Sequence, residues 1–260
     1  MGKTILIERD NGENITADLH QPDSGDRKGD APLVIMACGF PKHQIKGPSL
    51  YNLMTDIIKN LGFTSLKFNY TGSASLQGSD TKFTLENAAH DLEAIFEWAE
   101  KNGYKKIAFI AEGLGASIIH MNLPENAVFS ILCWPAFDLP YIRDTQFEAA
   151  KHQTELDKDG FYTSNDVLIG ADLLEELQNT DLIPYLQEAH IPTLILHGAK
   201  DDIIPPTHLA VARKSLMAPR LVITSFDDGE HGLPHETHIK TSIHHITEFV
   251  EKYWNFAPDE

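Results

Sequence analysis

The chain has 260 residues, enough for one α/β domain with an inserted subdomain and a sizeable core. Its 38 acidic residues against 21 basic ones give a net charge of −17, a field that repels phosphate backbones and argues against nucleic acid as a partner. With 42% hydrophobic and 23% charged residues the composition is globular, and no apolar run approaches membrane-spanning length, so no membrane association is expected.

The opening stretch MGKTILIERDNGENITADLH alternates and turns at Asn11-Gly12, which predicts a hairpin with strands near 3–9 and 13–20. It lacks the basic-then-apolar order of a signal segment, and Leu6 stands where a myristoylation sequence after Gly2 needs Ser or Thr; the expected location is cytoplasmic. After a polar loop, APLVIMACGF is a continuous apolar run of the kind a central parallel strand shows. A helix pattern follows around 48–61 and ends at Gly62, and FTSLKFNY reads as the next strand. The clearest helix runs from Thr84, a capping residue, to about Asn102, with Leu85, Ala88, Ala89, Leu92, Ile95, Phe96 and Ala99 on one apolar face and Gly103 as the stop. KKIAFI is a strand, LGASIIHMN a helix and AVFSILCW a strand.

From about Asp138 to His190 this rhythm breaks. The segment is polar, helix-like and carries the aromatics Tyr141, Phe147, Phe161, Tyr162 and Tyr185, so 138–190 is expected to be an inserted helical cap on a core made of 1–137 and 191–260. IPTLILHG and PRLVITSF resume the strands with a helix between them, and a last helix covers about 236–253. Strands alternating with helices imply a mostly parallel sheet covered on both faces. The two cysteines, Cys38 and Cys133, lie in apolar strand-like runs; buried free thiols fit a reducing compartment, and the sequence leaves one disulfide open.

The chemistry gathers at strand ends. In KKIAFIAEGLGASIIH a strand meets a helix through the tight turn Ala111-Glu112-Gly113-Leu114-Gly115. Such a turn holds its central residue in unusual backbone geometry, projects that side chain above the sheet, and aims the next N–H at the same spot. Gly113 satisfies the geometry but supplies no nucleophile, so a plain glycine-rich turn is the rival reading. Two later loops, HGAKDDIIPP with Asp201 and FDDGEHGLPH with His231, also follow strands, and the carboxyl edge of a parallel sheet would bring all three together. A carboxylate and an imidazole placed there orient and activate a nucleophile.

These stretches resemble the α/β-hydrolases over essentially the whole length, in the family's order of nucleophile turn, acid and histidine. HGAKDDIIP is similar to the family's H-G-x-x-D-x-x-V-P loop, which assigns the acid to Asp201; GEHG is similar to G-x-H-G, which assigns the base to His231. ACGF resembles the H-G-F oxyanion loop with Cys38 in place of histidine, and FNYTGSAS resembles F-D-F-R-G-x-G-x-S with Asn69 and Thr71 as departures. The resemblance implies an α/β-hydrolase fold and hydrolysis of a small-molecule ester or acyl compound without a cofactor. It also implies the amides of Phe40 and Leu114 as oxyanion donors. It puts a serine, less often cysteine or aspartate, where this chain has Gly113.

The neighbours offer little in its place. Ser117 is one helical turn on and should point back along the helix, and Cys38 and Cys133 read as core. Trp134 and Phe137 are candidates to line a substrate pocket, with a core role as the alternative, and Asp138 is a fallback acid. Asp202, Asp227, Asp228 and Glu230 are expected to be solvated. His231, His235 and His238 invite a metal, but no H-E-x-x-H or paired-cysteine spacing accompanies them and none is expected. Two main readings therefore stand: a serine-type ester hydrolase with its nucleophile changed to glycine, and a non-catalytic relative that binds a small acyl or aromatic ligand; a lyase or peptidase is the third, since the fold supports several chemistries.

Overall fold

The computed structural model describes residues 2–23, 30–39, 50–73, 83–148, 160–164 and 167–256. Ten strands form among them. β1 (Lys3–Glu8) and β2 (Asn14–His20) make the antiparallel hairpin expected around Asn11-Gly12, where Gly12 takes φ +81° and Asn11 Oδ1 accepts the Glu13 N–H at 3.0 Å. β2 pairs antiparallel with β4 (Thr64–Phe68); from there β3 (Leu33–Ala37), β5 (Ile107–Gly113), β6 (Ala127–Pro135), β9 (Thr193–Gly198) and β10 (Leu221–Phe226) run parallel. The eight-stranded order is β1-β2-β4-β3-β5-β6-β9-β10. β3, β6 and β9 are buried along their whole length, which is why their sequences are continuous apolar runs rather than alternating ones.

The strand order sets the site. From β3 the chain moves outward to β4 through α1 (Leu50–Asn60), then returns through α2 (Leu85–Lys101), passes over β3 and enters β5. The direction of winding thus reverses between β3 and β5, and such a reversal leaves a crevice outside the carboxyl ends of the two strands. α3 (Leu114–Met121) packs on β5, β6 and β3 beside α2; α7 (Thr207–Ser215) links β9 to β10; and α8 (Glu236–Tyr253) packs on β6 and β9 beside α1. No helix among the described residues is long and apolar enough to cross a membrane.

The segment between β6 and β9 holds α4 (Leu139–Thr145), α5 (Ala171–Asn179) and α6 (Ile183–Gln187), and adds to the expected helices a two-stranded antiparallel ribbon, β7 (Phe161–Ser164) with β8 (Val167–Gly170). It is tied to the rest by specific bonds. Glu176 of α5 accepts the Leu85 and Glu86 N–H groups at 2.5 and 3.2 Å, so its carboxylate caps α2 together with Thr84, whose hydroxyl accepts the Asn87 N–H at 3.0 Å. Gln146 donates to the Ile203 carbonyl at 2.6 Å, joining the end of α4 to the loop after β9. A fully buried carboxylate, Asp91 on α2, accepts the Thr71 N–H at 2.6 Å and its hydroxyl at 2.9 Å, and pairs with Arg9 at 3.2 Å.

Two of the buried histidines, His120 and His208, are held in the uncharged form. His120 on α3 donates its Nδ1–H to the Ala116 carbonyl at 2.8 Å, and His208 on α7 accepts the Asp138 N–H on its Nδ1 at 3.1 Å. Burial pulls both down from 6.5 to about 4. Between those values the unfolded chain binds protons at these rings that the folded chain refuses. Their contribution is therefore complete above 6.5 and is lost as pH falls toward 4, at up to about 1.4 kcal/mol per pH unit for each ring. Urea midpoints measured at pH 7 and pH 5 should fall steeply for this chain and less steeply for His120→Leu. Equal slopes would show that His120 is not held uncharged.

Candidate functional site

Gly113 ends β5 and immediately precedes α3, with φ 52° and ψ −128°. That backbone is open to glycine and strained for any residue with a Cβ. Crowding explains the flanking glycines. A Cβ on Gly115 would lie 2.5 Å from the Cys38 carbonyl oxygen, and one on Gly39 would lie 3.1 Å from that of Glu112. Small residues at 39 and 115 thus let the ends of β3 and β5 and the start of α3 close together. Position 113 differs, because among the described residues a Cβ there would meet only Ile204 Cδ1 at 3.5 Å and Gly39 Cα at 3.7 Å, ordinary contacts. None of the described residues blocks a side chain there; the obstacle they leave is dihedral strain. Leu114 opens the helix, so its N–H is one of the first-turn donors that the helix itself does not satisfy.

Opposite Gly113 the neighbouring strand bulges. Glu112 pairs with Cys133 but Gly113 pairs with Pro135, so Trp134 is an extra residue, with φ +39°. A bulge re-aims its side chain, and the Trp134 ring packs on the His231 imidazole at 5.4 Å between centroids.

The acid and the imidazole come from β9 and β10. The loops after these strands touch at Gly198 and Gly229: a Cβ on Gly198 would collide with the Gly229 carbonyl, and one on Gly229 would lie 3.0 Å from Gly198 Cα. Ala199 N–H bonds the Phe226 carbonyl and Lys200 N–H the Gly229 carbonyl, both at 2.8 Å. Beyond this contact, Asp201 Oδ1 accepts the N–H groups of Ile203 and Ile204 at 3.0 and 2.8 Å, and His231 Nδ1–H reaches Oδ1 and Oδ2 at 3.1 and 2.9 Å. The Asp201 side chain is fully buried and that of His231 is 9% exposed. A carboxylate held by three N–H groups orients the ring and fixes its tautomer, leaving the lone pair on Nε2.

Asp201 and His231 are thus brought together, and Ile204, three residues past the acid, lies against the space over Gly113. Phe40 falls outside the described residues. Phe137 is buried with its ring edge-on to His120 at 5.7 Å, and Trp134 is 1% exposed. Asp138 caps α4, accepting the Tyr141 N–H at 3.0 Å. Asp202, Asp227, Asp228 and Glu230 are exposed; Asp228 bonds His238 Nε2 at 2.9 Å, which holds its carboxyl below the usual range. Among the described residues no three His, Cys, Asp or Glu side chains converge as a metal site. Ser117 is fully buried and donates to the Ala136 carbonyl at 2.5 Å. Cys38 and Cys133 are buried and not joined in a disulfide, and burial pushes the Cys133 thiol well up. Ile204 had no sequence signal beyond its place in the Asp201 loop, and Trp134's unusual backbone had none.

A mostly parallel sheet flanked by helices, with a tight strand–helix turn at its reversal point, is the α/β-hydrolase fold, and the chain adopts it. Among solved structures it is similar to Est1E from Butyrivibrio proteoclasticus, at 17% identity over 96% of this chain and 98% of that one with a TM-score of 0.76. It is also similar to alpha/beta hydrolase domain-containing protein 10 from mouse, at 17% identity over 96% and 99% with a TM-score of 0.70. The esterase domain of a Rhodothermus marinus protein matches at 15% identity over 98% and 100% with a TM-score of 0.69. No protein-family model and no curated protein matches the sequence.

The backbone at position 113 yields a stability prediction. Gly113→Ser should fold with the same turn, since its Cβ has room, but should lose about 1–3 kcal/mol to positive-φ strain. Chemical denaturation checks this; a variant as stable as the parent would show that the turn relaxes on substitution.

Proposed function

We propose that the chain is built for acyl chemistry on a small ester, and that Gly113 strongly impairs it. The observation that carries this reading is the Asp201–His231 pair. A buried carboxylate engages the ring Nδ1–H with both oxygens at the sheet edge where Gly113 makes its turn. With a side-chain nucleophile at 113, His231 would take its proton and return it to the leaving group. Asp201 would orient the ring, and the Leu114 amide, with Phe40 as its suggested partner, would stabilise the oxyanion. No step calls for a cofactor. Loss of the nucleophile from such a triad lowers turnover about a million-fold, on the order of 8–9 kcal/mol. The buried Ser117 and Cys133 offer no replacement.

A structure of Est1E with ferulic acid bound is among the similar ones. A hydroxycinnamate-like aromatic acyl group is therefore the first substrate class to try, beside short-chain acyl esters. The second reading, a protein that binds such a ligand without turning it over, is favoured by one observation: glycine removes the backbone strain that a nucleophile at 113 would carry.

Gly113→Ser assayed with short, long and feruloyl chromogenic esters decides between them. The expected result is a gain in kcat of several orders of magnitude, with labelling by a serine-reactive phosphonate, both lost in Gly113→Ser/His231→Ala. A silent Gly113→Ser protein that still binds ferulate would favour the binding role.

A further inference from the structure

The geometry points to a reaction that this site performs without a side-chain nucleophile: direct attack on an ester by a water molecule seated over Gly113, with His231 as its general base. The inference rests on the ester reading above and extends it to the chain as it stands. Three features converge. The turn holds φ 52° and ψ −128°, which glycine takes without strain. Among the described residues the direction a Cβ would take is open, with Ile204 Cδ1 at 3.5 Å and Gly39 Cα at 3.7 Å from that point. A seryl CH2OH group and one water, about 30 Å³ in the liquid, are close in size, so the room that a nucleophile would fill suits a water. The base is already oriented, because both Asp201 oxygens engage Nδ1–H and the lone pair stays on Nε2. Trp134, the bulge residue opposite Gly113, packs on that ring and ties it to the turn.

The chemistry balances without a co-reactant. Water oxygen bonds to the acyl carbon as one of its O–H bonds passes its proton to His231 Nε2. The carbonyl electron pair moves to oxygen at the start of α3, where the Leu114 N–H lies. The intermediate then expels the alcohol oxygen, which leaves with the proton returned by His231. Ester and water become acid and alcohol, and no acyl-enzyme forms. No acyl-enzyme divides the reaction into two displacements, so aryl esters, whose leaving groups need little protonation, are the substrate class.

The test uses the purified chain with p-nitrophenyl acetate and phenyl acetate, the spontaneous rate subtracted, and methanol added as a competing nucleophile. The expected results are no burst of phenol at the first turnover, and a ratio of methyl ester to acid that differs between the two leaving groups. His231→Gln should lower the catalysed rate about 100-fold or more, and Gly113→Ala, whose methyl occupies the water's place, should lower it as well. A stoichiometric burst, one partition ratio for both esters or a rate indifferent to His231→Gln would overturn the proposal; the burst and the ratio need no variant and stand even if Gly113→Ala fails to fold. Gly113→Ser separates the two ideas. If it gains a burst and turnover dependent on His231 while the parent chain shows no such rate, the water route falls and the ester reading survives. If neither protein hydrolyses any ester, both fall.

Discussion

The contact between the backbones of Gly198 and Gly229 is the constraint from which the Asp201–His231 pair follows. Without a Cβ on either residue the loops after β9 and β10 approach closely enough to exchange main-chain hydrogen bonds, Ala199 to Phe226 and Lys200 to Gly229, each 2.8 Å. That seam fixes where Asp201 and His231 emerge. The loop after β9 then folds back so that Ile203 and Ile204 donate to Asp201, and the same fold sets Ile204 beside Gly113. A buried carboxylate is costly unless its oxygens are satisfied. Here two main-chain donors and the imidazole supply the hydrogen bonds, and no arginine or lysine among the described residues pairs with the acid.

The turn at Gly113 shows the opposite economy. Its crowding is severe at Gly115, where a Cβ would strike the Cys38 carbonyl oxygen, tight at Gly39 against that of Glu112, and absent at Gly113 itself among the described residues. The architecture thus reserves room at 113 while demanding a backbone that only glycine adopts at ease. A nucleophile at this place would combine reactivity with stored strain; glycine trades the first away and is relieved of the second.

Much of this was legible in the sequence. The hairpin at Asn11-Gly12, α2 with its Thr84 cap, and α8 over Glu236–Tyr253 follow from turn chemistry and periodicity, which act within a few residues. Asp201 and His231 stood out because each follows an apolar strand in a recognisable loop. What stayed hidden depends on partners far along the chain. Asp91 lies on the buried side of α2 between Ala88 and Leu92, and nothing nearby shows that Arg9 and Thr71 neutralise and satisfy it. The ribbon of β7 and β8 is hard to see in sequence because four-residue strands carry too little alternation to outweigh the helical pattern of the polar stretch around them. Trp134's bulge arises from register between β5 and β6, which one strand's sequence cannot express.

Asp91 also changes how the first twenty residues should be regarded. The hairpin sits at the margin of the sheet and has the look of an appendage, yet Arg9 at its turn is the cation beside a carboxylate with no exposure to solvent, raised by burial and held down by Thr71 and Arg9. An N-terminal truncation would strip that anion of its counter-charge and unsettle the loop that Thr71 anchors after β4. The hairpin is a keystone, and shortened or permuted versions of this protein must carry it along.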